Sequence, residues 1–122
     1  MRYVLTINNA EPAEGEISED AIAQMQQAFD VYAGALASAG VFVAAEILQS
    51  VAATTTVTRR DGELRVQDGP FADTKEVLAG VFVIDVPDLD AALAWAEKCP
   101  ATQYAVIEVR ASAITAIDGV WQ

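Results

Sequence analysis

Carboxylates are the groups through which this chain could do chemistry. It contains no histidine, no CxxC pair, no GxGxxG with a plausible dinucleotide unit, no Walker loop and no Gly-x-Ser-x-Gly. Histidine triads, histidine metal clusters and the common nucleotide folds are thereby excluded. Two places concentrate what is left. Glu46 lies in VFVAAEIL, Val41 to Leu48, where strand alternation puts it on the face of Phe42, Ala44 and Leu48. Burial on that face would suit it to act as a general acid or base. The competing reading is an acid at a strand end that reaches water or pairs with an arginine. Asp85 and Glu108 pose the same question more weakly, each one residue from a strand end.

The second place is DGPFADTKE, Asp68 to Glu76, between two apolar, β-rich runs. Asp68, Lys75 and Glu76 gather opposite charges beside Phe71, and loops carried on a rigid sheet are where sites tend to sit. Phe71, Lys75 and Glu76 are the candidate ligand-binding residues. Asp68 joins Glu46 as a candidate catalytic carboxylate, with Lys75 as its electrostatic partner. The same stretch has local reasons to be a corner. Gly69 precedes a proline and is expected to be extended, Pro70 fixes its own φ, and Asp68 can accept main-chain N–H groups two residues on. Asp73 to Glu76 looks like a capping box for a short helical turn.

Composition narrows the function classes. With 18 Asp and Glu against 7 Lys and Arg, the net charge of −11 repels phosphate backbones and anionic lipid headgroups, so neither nucleic acid nor a membrane is expected as a partner. Cys99 is the single cysteine and cannot pair within the chain, which points to a reducing, cytoplasmic compartment. Beside Pro100 at an expected helix end, it reads as packed rather than nucleophilic. The start, MRYVLTINNA, lacks the apolar core of a signal peptide, and Val41 to Leu48 is far too short to span a bilayer. No feature calls for a cofactor or a metal. Hydrophobic residues make up 53% of a 122-residue single domain, which raises the odds of an apolar subunit interface.

The elements that must position these residues follow from periodicity. Arg2 to Ile7 alternates as a half-buried strand. Ser18 offers a helix N-cap, and Ile22, Met25, Phe29, Tyr32 and Leu36 form one helical stripe ended by Gly40. Val41 to Leu48 is apolar on both faces, as a central strand is. TTTVTRRDGELRVQ reads as a hairpin turning at Asp61-Gly62, pairing Arg60 with Glu63 and Val57 with Val66. GVFVIDV is a further strand apolar on both faces. Asp88 caps a second helix with Leu89, Ala92, Leu93 and Ala96 inward and Lys98 near its C-terminus. YAVIEVR closes the sheet. The tail carries Ile114, Ile117, Val120 and Trp121, expected to pack on the domain or on a partner subunit.

Strand, helix, strand, hairpin, strand, helix, strand is a βαββαβ order with an inserted hairpin, an α+β ferredoxin-like sandwich with both helices on one face of the sheet. The other face needs cover, and face-to-face homodimerisation is the usual way of covering it.

Asp68-Gly69-Pro70-Phe71 followed by Thr74-Lys75-Glu76, then Gly80, DVPDLDAALAWAEKCP and IEVR, closely resembles the DGPF branch of the YCII-related family. AGVFVAAEILQ and VTRRDGELRVQDGPF extend the match to nearly all of Tyr3 to Arg110. The resemblance implies a dimeric α/β barrel. Members of the wider family are proposed to act through a first-helix histidine paired with an aspartate. The corresponding position here falls at Phe29 or a neighbour, so that mechanism is not available to this chain. DGPF proteins also occur beside or fused to sigma-factor-like transcription proteins, which suggests an accessory or sensing role. Two functions are therefore expected: a homodimeric module that binds a small molecule at the sheet and DGPF loop, accessory to transcription regulation, or a cofactor-free enzyme using a carboxylate as general acid or base.

Overall fold

A computed structural model describes residues 1–122. The chain runs β1 (Arg2–Asn9), α1 (Glu19–Ser38), β2 (Phe42–Ile47), β3 (Thr55–Arg60), β4 (Glu63–Asp68), β5 (Val77–Asp85), α2 (Leu89–Lys98), β6 (Val106–Ala111), β7 (Ala116–Ile117) and β8 (Val120–Trp121). Four strands form one antiparallel sheet in the order β2-β5-β1-β6. Both β1 and β2 run antiparallel to the β5 strand between them, so α1 is the crossover of a split βαβ unit. This mixed α+β arrangement is compatible with a ferredoxin-like fold.

The core lies between one sheet face and the two helices. Tyr3, Leu5 and Ile7 of β1 and Phe82 and Ile84 of β5 are buried against Tyr32 and Leu36 of α1 and Ala92 and Ala96 of α2. Tyr32 meets Phe82 edge-on at 5.3 Å, and its hydroxyl donates to the Trp95 carbonyl at 2.8 Å. Burial pushes the Tyr32 phenol well above its ordinary pKa, so it stays a donor. Both helices begin on the expected caps: Ser18 Oγ accepts from Ala21 N at 3.2 Å and Asp88 Oδ1 from Ala91 N at 2.9 Å.

Four expectations are corrected. Val41 to Leu48 is an edge strand rather than a central one; β1 and β5 hold the centre. A bulge at Val43 pairs Phe42 with Ile84 and Ala44 with Val83, so Phe42 leaves the face shared by Ala44 and Glu46. The first-helix stripe is core only at its C-terminal end, where Tyr32 and Leu36 are buried and Phe29 packs at the margin, while Ile22 is exposed. In α2 the inward residues are Ala92 and Ala96, with Leu89 and Leu93 exposed.

Beyond the main sheet stand two small hairpins. Strands β3 and β4 pair Arg60 with Glu63 and Val57 with Val66 around Asp61 (φ 51°) and Gly62 (φ 78°), as the sequence predicts for a type I′ turn. The tail closes on itself: β7 and β8 turn at Asp118 (φ 50°) and Gly119 (φ 79°). Ile114, Ile117, Val120 and Trp121 remain exposed rather than packing on the domain. No helix is long and apolar enough to cross a membrane.

Candidate ligand-binding groove at the DGPF corner

Two connections meet at the end of the sheet. After β2, Leu48 N donates to Ala79 O at 2.9 Å, holding the departing chain against β5. Ser50 then caps a 3-10 turn, Val51–Ala53, accepting from Ala52 N at 3.2 Å. Glu11, in the loop after β1, clamps this turn from outside. Its Oε1 accepts from Val51 N at 2.6 Å and its Oε2 from the Ser50 hydroxyl at 3.0 Å. A carboxylate accepting two such bonds is a strong local fastener.

The second connection leaves β4. Gly69 N donates to Thr54 O at 2.8 Å, and the Thr56 hydroxyl donates to Gly69 O at 2.6 Å. Gly69 has φ +95°, which side-chain-bearing residues rarely adopt, so the expected extended conformation before proline is replaced by a turn that only glycine makes easily. Residues 71–76 form no helix, and Asp73 to Glu76 make no capping box; instead the Thr74 hydroxyl donates to the Glu76 carbonyl at 2.7 Å. The reason is length: β5 begins at Val77, leaving no residues for a helix to continue into.

Between the two connections lies an open groove of about 570 Å³. Leu48, Val51, Pro70, Phe71, Val77 and Leu78 supply its apolar lining, with Ser50, Thr74 and Glu76 as polar groups. Its volume is in the range of small-molecule sites, and its mixture of apolar surface with a few polar groups is what such sites use. One carboxylate and no cation on the lining suit a neutral or cationic guest better than an anion.

The sequence-predicted residues divide. Phe71, 78% exposed, and Glu76 line the groove. Lys75 is exposed and does not line it. Asp68 is exposed at the end of β4, paired across the ladder with Thr55, and also lies outside the lining. Glu46 is exposed opposite Val81 on the sheet, so the burial on which its acid–base role depended is absent. An edge strand leaves one side of such a residue to solvent. Asp68, Lys75 and Glu76 form no ion pairs with one another; the ion pairs of the chain are the Met1 ammonium with Asp85 at 2.9 Å and Arg65 with Glu63 at 3.9 Å. Glu108 accepts from Asn8 Nδ2 at 3.4 Å.

Sequence reasoning missed Glu11, Ser50 and Thr74. Glu11 meets Ser50 across 39 residues, and no local pattern carries a contact of that separation. Cys99 is buried, and burial pushes its thiol up, in keeping with a packed rather than nucleophilic role. Phe29, at or next to the position where the resemblance implies a histidine, stacks on Phe82 at 6.2 Å. No group of three or more Cys, Asp or Glu side chains is arranged to hold a metal ion.

Comparison with known proteins matches residues 1–113 to the model of the YCII-related domain. An uncharacterised protein of Rhizobium meliloti (strain 1021) is 50% identical over 44 residues. That match spans 36% of this chain and 36% of the relative, about a third of each. With nearly its whole length covered by the domain model, the chain belongs to the YCII-related family.

Proposed function

We propose that this chain is a homodimeric small-molecule-binding module whose ligand sits in the groove at the DGPF corner. The observation that carries this reading is the groove itself, about 570 Å³, with Phe71 and Glu76 on its lining. An aromatic ring left 78% exposed beside a carboxylate offers apolar contact and one charge-assisted hydrogen bond. The guest this fits is a neutral or cationic molecule with an apolar body. Resemblance to the DGPF branch supports a cytoplasmic role accessory to transcription regulation, the ligand acting as the signal.

The homodimer in this proposal is a dimeric α/β barrel built on the ferredoxin-like core, with β3–β4 as its inserted hairpin. Half-buried Val4, Thr6, Val81 and Val83 on the sheet face away from the helices support it, because a partner sheet would complete their burial. The alternative of a cofactor-free enzyme has less support, since Glu46 and Asp68 stand outside the groove.

Native mass spectrometry of protein purified gently from its source tests the proposal. The expected spectrum is a dimer carrying extra mass, lost in Phe71→Ala and reduced in Glu76→Gln. Extra mass retained unchanged in both variants would place the ligand elsewhere and overturn the groove.

A further inference from the structure

The β3–β4 hairpin is built inside out. Pairing across the ladder puts Val57 with Val66 and Arg59 with Leu64 on one face, and Thr56 with Gln67 and Thr58 with Arg65 on the other. The threonines are the half-buried residues, whereas Val57, Leu64 and Val66 are 64%, 58% and 62% exposed. Apart from each other, the two strands pack on no element of the chain extensively. A two-stranded hairpin alone is marginal in water, and an apolar row turned outward makes it more so.

The whole surface carries the same excess. Folded monomers of 12.9 kDa expose about 6,300 Å². This chain exposes 8682 Å², an excess of about 2,400 Å². Two copies together carry a surplus of about 4,800 Å², and obligate dimers bury about 2,000–5,000 Å² across both partners, so one large interface between them accounts for it.

Charge says what kind of partner fits. On a chain of net charge −11, the hairpin is electrically balanced, with Arg59, Arg60 and Arg65 against Asp61, Glu63 and Asp68, so two copies can meet there with little repulsion. Glu11, Glu14, Glu16, Glu19 and Asp20 form an acidic run with no base among them. A second copy of so acidic a chain meets less repulsion at the balanced hairpin than at that run.

We propose that the outer face of the β3–β4 hairpin, Val57, Leu64 and Val66, docks on a second copy of this chain as an arm of the dimer. This rests on the homodimeric reading above and adds the segment that makes the contact. The arm is rooted at the site: Thr54 and Pro70, on either side of the hairpin, line the groove. Docking therefore sets the second copy beside the groove mouth and couples ligand binding to assembly.

The test is hydrogen exchange of the full chain across residues 55–68, together with dimer dissociation constants from sedimentation equilibrium. In the wild type these amides are expected to be protected at dimer concentrations and to lose protection on dilution. The combined Val57→Glu, Leu64→Glu and Val66→Glu variant is expected to raise the dissociation constant at least about 100-fold, and Gln67→Glu on the inner face to leave it within about threefold. Wild-type exchange alone decides should the triple variant fail to fold. A wild-type dimer whose hairpin amides exchange freely, or a folded triple variant that dimerises normally, overturns the arm while the dimer stands. Loss of dimer in Val83→Glu would then assign the interface to the open sheet face alone. A monomeric wild type overturns both the arm and the dimer.

Discussion

The main sheet and the β3–β4 hairpin use the same strand alternation to opposite ends. In β1, Tyr3, Leu5 and Ile7 alternate with Arg2, Val4 and Thr6, and the apolar row is sealed under two helices. In the hairpin, Val57 and Val66 alternate just as regularly, and the apolar row faces out. What separates them is what the chain lays over each. Alternation specifies that a strand has two unlike faces; only tertiary context says which of them is inside.

Single substitutions should register that difference. The largest effect is expected at Ile84, which is fully buried at the centre of the sheet. Ile84→Ala should cost about 2–5 kcal/mol in urea unfolding. Val66→Ala in the hairpin should cost less than about 0.5 kcal/mol when the protein is dilute enough to keep copies apart. Comparable losses at the two positions would mean that the hairpin is packed within its own chain, and the contrast would collapse.

Next in size is Gly80, where β5 passes close to both neighbours. A Cβ there would stand 2.8 Å from Ile47 Cδ1 and 3.0 Å from the Glu46 carbonyl oxygen. The side-chain tip can move and the backbone oxygen cannot do so cheaply, so Gly80→Ala should destabilise by about 1–3 kcal/mol. An unchanged urea midpoint would show that the β2 edge is as loosely held as the hairpin.

The smallest effect concerns pH. The Met1 ammonium beside Asp85 holds its carboxyl below the ordinary carboxylate range, with Arg2 adding to the effect. A carboxyl held low in the folded chain contributes stability above the ordinary Asp value of about 3.9, and loses it as pH falls through the lower folded value. The gap in stability between wild type and Asp85→Asn should therefore be present at neutral pH and close in acid. The pair lies at the surface, so added salt should shrink the gap. A gap that widens in acid would reverse the assignment.

How much of this was legible in the sequence depended on range. The Asp61-Gly62 hairpin was legible because turn chemistry and flanking register are local. Asp118-Gly119 carries the same dipeptide and the same positive φ values, yet its strands are two residues each, too short to show alternation. VFVAAEIL and GVFVIDV look alike as apolar runs, and their edge and central places were decided by which strands pair, which neither run encodes. At the site, Phe71 and Glu76 were legible from residue type in a loop. The opposite wall, Leu48 to Thr54, was not, because it is held there by Glu11 from a distant loop.

Cys99 carries a further use. It is the chain's sole thiol, buried to within 2% of full enclosure, and burial disfavours the thiolate that would react. An alkylating reagent can reach it only when the packing around α2 opens. Its modification rate is therefore a clock for breathing of the core, and one built in without any engineered label. A cysteine placed on the hairpin would react on a separate, faster scale, letting one reaction time both regions in the same molecule.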